Sequence, residues 1–154
     1  MLLVYPIIAN QMKAAVQFSD EECCGFLFGV EEDDVRTITA TMSAKNISSF
    51  NKRDTFEISA ADYMDAENFA DRNRLKLLGI YHSHVGCPAT PSEYDRIAAQ
   101  PYFSYVVLSV VENKVEEMRS WTINEEFKFQ EEPISIININ QQIHGYRNHP
   151  NSAA

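Results

Sequence analysis

Residues 81–95 read Tyr81-His82-Ser83-His84-Val85-Gly86-Cys87-Pro88-Ala89-Thr90-Pro91-Ser92-Glu93-Tyr94-Asp95, and the apolar run Leu77-Leu78-Gly79-Ile80-Tyr81 leads into them. A short apolar run of this kind predicts a buried strand over 75–82. His82 and His84, two apart at its end, then project from one face of the strand. Thr90, Pro91 and Glu93 predict a helix start, with a capping residue, a proline in the first turn and an acid at the third position. That helix runs to about Gln100, and Ser92 and Asp95 share a face in its opening turns. The seven residues between His84 and Ser92 include Gly86, Pro88 and Pro91, and they allow the helix to fold back on the strand.

Outward from this unit the pattern stays mixed. Pro6 suits a first helical position, and Ile8, Met12, Ala15 and Val16 recur at helical spacing, which predicts a helix over 6–18. Cys23 to Val30 predicts a buried strand and Arg36 to Ser43 an alternating one, joined by the charged turn Glu31-Glu32-Asp33-Asp34. A polar loop over 44–55 leads to a short strand at 55–58. Ser59 with Asp62 three residues on then opens a helix to about Arg74. Downstream, 102–111, 115–123 and 126–137 read as strands, with Glu112-Asn113-Lys114 as a hairpin turn. The expectation is one α/β (mixed α+β) domain over 1–137, a sheet flanked by helices, followed by a polar tail over 138–154.

Composition narrows the function classes. The chain has 154 residues, 45% of them hydrophobic and 23% charged, which suits a single folded domain. Its net charge of −9 opposes nucleic acid phosphates and anionic lipid as partners, so neither is expected. The N-terminal residues lack the basic region of a signal peptide, and no apolar run suffices for a membrane span. Three cysteines, two of them adjacent, do not make a disulfide framework, and a cytoplasmic location is the simplest reading.

His82, His84 and Asp95 together form a suitable Zn²⁺ ligand set, one ion per chain, and three protein ligands leave a fourth position open for water. That open position is the mark of a catalytic metal, and a base must then take the proton of the water. Glu22, at the mouth of the buried strand, is the candidate base, and Ser92 the candidate donor to an oxyanion. A pair of histidines at a strand end is by itself most often structural. The full spacing of two histidines, a serine and an aspartate arises by chance in on the order of one chain in several thousand, which favours the metal reading. Cys87, three residues past His84, has the reach to become a fourth ligand that would close the site. His144 and His149 read as solvent-exposed tail residues.

These residues resemble the JAMM (MPN+) metalloproteases, whose motif is a distant Glu followed by His-x-His, seven residues, Ser, two residues and Asp. The likeness covers about residues 6–137. Glu22-Cys23-Cys24-Gly25-Phe26-Leu27-Phe28-Gly29 is similar to the strand that begins with the family's catalytic Glu, and Asn46, Phe56, Gly79-Ile80-Tyr81 and Ser120-Trp121 fall where bacterial members carry such residues. The resemblance implies a single MPN-like (cytidine-deaminase-like) domain with a central, mostly antiparallel sheet. It also implies His82, His84 and Asp95 as zinc ligands, Glu22 as base and Ser92 as oxyanion donor, and a mere connecting loop at Cys87.

The activity implied is hydrolysis of the peptide or isopeptide bond after the terminal Gly-Gly of a ubiquitin-like or sulfur-carrier protein. Asp95 reaches the next strand by about Tyr102, without the insertion of eukaryotic deubiquitinating members, so the chain resembles the compact prokaryotic branch. Release of one amino acid, such as cysteine, from a sulfur carrier is the first alternative. A non-catalytic binding scaffold is the second.

Overall fold

The elements run β1 (Leu2–Val4), α1 (Pro6–Val16), β2 (Cys24–Glu32), β3 (Val35–Ala44), α2 (Ala60–Arg72), β4 (Lys76–Val85), α3 (Glu93–Ala98), β5 (Ser104–Val111), β6 (Lys114–Ile123), β7 (Phe129–Glu132) and β8 (Ile134–Ile136) in a computed structural model that describes residues 1–138. The expected tail, His144 and His149 included, lies outside the described residues from 139 onward. The strands form one eight-stranded sheet in the order β7-β6-β5-β4-β2-β3-β1-β8. Four of its seven pairings are antiparallel, and β4 with β5, β1 with β3 and β1 with β8 are parallel. The expected mixed α/β architecture with helices on the sheet is thus the observed one.

The two longer helices cover opposite faces. Ile8, Ala9, Met12 and Val16 of α1 pack with Leu27, Tyr81 and Leu108 in one core. Ala66 and Ala70 of α2 pack with Phe26, Phe28, Ile80 and Tyr105 in the other. No helix among the described residues is long and apolar enough to cross a membrane. The β2–β3 and β5–β6 turns fall within the turns expected from sequence but are tighter, since Glu31-Glu32 and Lys114 belong to strands: Asp33-Asp34 and Glu112-Asn113 each place two consecutive residues at positive φ, the conformation of a two-residue hairpin loop.

Several expectations need correction. Helix α1 stops at Val16, and it buries Ala9 while leaving Ala15 exposed, because the buried stripe runs through 8, 9, 12 and 16. Strand β1 was not expected; with three residues it carries no period of its own, and it is held between β3 and β8. Residues 55–58 are not a strand. Their backbone is occupied by the Asn46 side chain, which donates to the Thr55 carbonyl at 2.9 Å and accepts from the Glu57 N–H at 3.2 Å. The expected strand 126–137 is two strands divided at Pro133, which has no N–H for a ladder. Since β7 and β8 are the opposite edges of the sheet, that one residue joins them, and the sheet curls until its edges approach each other there.

A bulge in β4 decides which face the histidines take. Leu27 of β2 pairs with Gly79 but Phe28 pairs with Leu77, so Leu78 is an extra residue in the ladder. A shift of one residue exchanges the two faces of a strand. Beyond the bulge, His82 pairs with Cys24 and lies on the α2 side with Ile80, whereas Leu78 and Tyr81 join the core under α1. Gly79 allows the close approach of β5, since a Cβ there would lie 1.9 Å from the Ser104 carbonyl oxygen.

Candidate metal centre

Gly86 ends β4 by adopting a φ of +68°, a left-handed conformation that a side chain would strain, and the chain then turns toward α3. Three successive carbonyls of the turn are each held by a side chain. Ser109 Oγ donates to the Cys87 carbonyl at 2.5 Å, His84 Nδ1 donates to that of Pro88 at 2.9 Å, and Trp121 Nε1 to that of Ala89 at 3.0 Å. Ser109 escaped sequence reasoning, although its polarity interrupts the apolar run Val106-Val107-Leu108, which is the signal that marks it. Helix α3 is capped by Ser92 and not by Thr90. Asp95, three residues past Ser92, completes a capping box that Thr90 does not form: Ser92 Oγ accepts the Asp95 N–H at 3.2 Å, and Asp95 Oδ2 accepts the Ser92 N–H at 2.8 Å. The helix ends at Ala98, short of Gln100.

This architecture brings His82, His84 and Asp95 together, all buried, with their ligand atoms within 4.8 Å of one another. His82 Nε2 and His84 Nε2 lie 3.1 and 3.2 Å from the same oxygen, Asp95 Oδ2. Those spacings match the ~3.3 Å edge of a tetrahedron with metal–ligand bonds of ~2.0–2.1 Å. The tautomer adds a second argument. With its Nδ1 donating to Pro88, a neutral His84 turns the Nε2 lone pair toward a carboxylate oxygen, and only a proton or a metal cation between them relieves that repulsion.

Electrostatics agree. Burial opposes ionisation of Asp95, but His82, His84 and the Ser92 N–H outweigh it and hold the carboxyl well below its ordinary range. Burial likewise opposes protonation of His84, but Asp95, the Pro88 carbonyl and Glu22 prevail and raise its pKa. His82 is fully buried and its ring stacks on Phe56, with centroids 4.5 Å apart. Its Nδ1 has no hydrogen-bond partner among the described residues.

Glu22 joins this group from the segment before β2. Its Oε1 is 3.8 Å from His84 Nε2, and its Oε2 is buried without a hydrogen-bond partner among the described residues. Burial first, then Asp95 and Asp54 against the opposing effect of His84, push its carboxyl up to about 8. The Glu22 backbone is clamped: its N–H donates to the Lys52 carbonyl at 2.8 Å, and its carbonyl accepts from Asn46 Nδ2 at 2.9 Å. Ser83, between the two histidines, accepts the Cys23 N–H on Oγ at 2.9 Å. Asn46 and Ser83 therefore position Glu22, a role that sequence reading did not assign to either.

The group opens into a cleft of about 310 Å³ whose lining includes Glu22, His84, Ser92, Tyr94, Arg53 and Asp54. Cys87 also lines the cleft, but its side chain is exposed and lies outside the convergent ligand set. Cys24 is buried as expected, while Cys23 is only half-buried just ahead of β2.

Against known proteins, the family described as prokaryotic homologs of the JAB domain matches residues 6–124. Desampylase of Pyrococcus furiosus is 29% identical over 121 residues, which cover 79% of this chain and 80% of that protein. The solution structure of a protein from Desulfitobacterium hafniense superposes with a TM-score of 0.77 at 26% identity, covering 90% of this chain and 94% of the other. That of a protein from Salinibacter ruber gives a TM-score of 0.68 at 31% identity, covering 88% and 92%.

Proposed function

Since the chain belongs to the family of prokaryotic JAB-domain homologs, we propose that it is a zinc-dependent hydrolase, with its domain over 1–137, that cleaves the bond after the terminal Gly-Gly of a ubiquitin-like protein. The observation that carries the reading is the convergence of two buried imidazoles on one buried carboxylate oxygen, with a second carboxylate, Glu22, beside them. His82, His84 and Asp95 would hold the ion. When bound, zinc supplies Lewis acidity for the scissile carbonyl and makes an attacking water acidic near neutral pH.

Glu22 takes one proton of the attacking water on its Oε2 as the oxygen bonds to the carbonyl carbon, and delivers it to the nitrogen as the C–N bond breaks, so that amide and water together become a carboxylic acid and an amine. Its raised pKa suits a proton shuttle, and a cation at the neighbouring ligands draws it back toward neutrality. Ser92 Oγ accepts the Asp95 N–H, which leaves its own O–H free to donate to the oxyanion. Ser92→Ala should therefore have two effects: loss of a cap worth about 1 kcal/mol, and a kcat lowered by roughly 10²–10³-fold. A change confined to KM would limit Ser92 to substrate binding.

A glycine pair is the segment that best approaches a buried metal, having no side chains to exclude. The name desampylase of the relative supports a modifier protein on the acyl side. Three free cysteines, Cys23, Cys24 and Cys87, suit a reducing cytoplasm. A specific observation favours the second reading, release of a single amino acid. Arg53 lines the cleft and makes no ion pair among the described residues, so it offers a guanidinium to the free carboxylate of such a leaving group.

One experiment separates the two. Modifier–amino acid and modifier–protein conjugates are compared, each with the penultimate glycine intact or replaced by leucine. The favoured reading expects leucine to block both conjugates and Arg53→Ala to leave both within a few-fold of wild type. Indifference to the glycine, with Arg53→Ala raising KM on the amino acid conjugate alone, establishes the second reading. Cleavage of neither conjugate by the zinc-loaded protein removes both.

A further inference from the structure

We propose that Phe50, Tyr94 and Ile97 form the surface that receives the folded body of the modifier while its tail occupies the cleft, an inference that rests on the Gly-Gly hydrolase reading. Phe50 is 71% exposed, Tyr94 54% and Ile97 72%. The rings of Phe50 and Tyr94 lie 6.0 Å apart, and among the described residues theirs is the only ring contact in which both partners are more than half exposed. Tyr94 and Ile97 stand three apart on α3 and share a face, so the apolar strip continues from the first ring along the helix.

The strip starts at the rim of the cleft. Tyr94 lines the cleft itself, and Phe50 belongs to the same 45–57 segment as Arg53 and Asp54, which line it too. The segment is also built to hold its ring out. Ser48 Oγ and Thr55 Oγ1 bond at 2.7 Å in a buried position, the Phe50 N–H donates to Ser48 Oγ at 3.3 Å, and Asn46 ties the base to Glu22. A surface ordered before binding loses less freedom when a partner arrives.

Reach supplies the occupant. A tail of four to six residues spans at most roughly 13–22 Å, so a folded body whose last glycine is at His84 must rest on the rim. Cys87 and Pro88 also line the cleft and are exposed, but neither carries an aromatic ring. Rings left in solvent beside the entry are the part of the rim with the most area to gain from burial. The complementary partner face is apolar at its centre and rimmed by Lys or Arg, because this chain carries a net charge of −9.

The test reads binding first, with no turnover. A small prokaryotic ubiquitin-like protein ending in Gly-Gly is titrated into the wild type and into the F50S/I97S double variant by calorimetry, and melting curves verify that the variant is folded. The expected result is a Kd at least tenfold weaker for the variant. With coumarin amides of the same protein and of its last five residues, KM should rise at least tenfold on the protein and stay within twofold on the peptide. Equal binding by the two proteins, no binding by the wild type, or an equal loss on protein and peptide overturns the docking surface. A dimer in the wild type that the double variant abolishes assigns the strip to a second copy of this chain and overturns it too. Wild type that binds the modifier yet cleaves neither amide leaves the docking surface standing and removes the hydrolase reading.

Discussion

Glu22→Gln is expected to lower kcat by roughly 10²–10⁴-fold while zinc content stays at the wild-type level. The substitution preserves shape and removes only the proton acceptor. Glu22 is 4% exposed and is not among the three convergent ligands, so the ion loses nothing that holds it. Stability should not fall either. The folded state holds this carboxyl at about 8, well above the ordinary 4.5, so ionising it costs stability as pH rises through that interval, and a neutral amide avoids the cost. Metal analysis, a melting curve and kcat on one Gly-Gly amide check all three statements. Wild-type turnover in this variant would mean that another group is the base.

The second large effect concerns the metal itself. The wild type should bind one zinc per chain, and zinc at 100 times its Kd should stabilise it by about 2.7 kcal/mol, a rise in Tm of roughly 5–11 °C for a domain of this size. His82→Ala and His84→Ala should each abolish that rise and the activity together. Asp95→Ala should do the same and also lower the Tm of the metal-free protein, because it removes the acid half of the α3 capping box. Calorimetry with and without a chelator makes the comparison. Full zinc retention by the His82→Ala, His84→Ala double variant would remove the metal centre altogether.

The Asp95 carboxylate illustrates how local rules and the site coincide. Within α3 it is the third residue of a helix and accepts the cap N–H; across the cleft the same oxygen faces both imidazoles. That it shares a face with Ser92 was legible because residues three apart on a helix lie on one side. The choice of cap was less so, since Thr90-Pro91 and Ser92 both carry start signals a few residues apart and only the fold of the 86–91 turn selects between them.

What the sequence alone determined is the spacing of the candidate ligands His82, His84 and Asp95, the strand that carries the histidines, the positions of two tight turns and the mixed class of the fold; the candidate base Glu22 rested on the family resemblance. Each of these depends on contacts or periods contained within a few neighbouring residues, or on a motif with strict spacing. Tertiary structure decided the rest. The bulge at Leu78 sets the face that His82 and His84 present, and it is visible only in the pairing of β2 with β4. Pro133 marks a break in a strand, but not that its two halves become opposite edges of one sheet. Asn46, Ser83, Ser109 and Trp121 hold the site through bonds to backbone groups 22–60 residues away. Phe50 meets Tyr94 across 44 positions in the chain. Such contacts leave no local period, because the partner of a polar atom is set by which strands lie side by side, and that order is a property of the whole sheet.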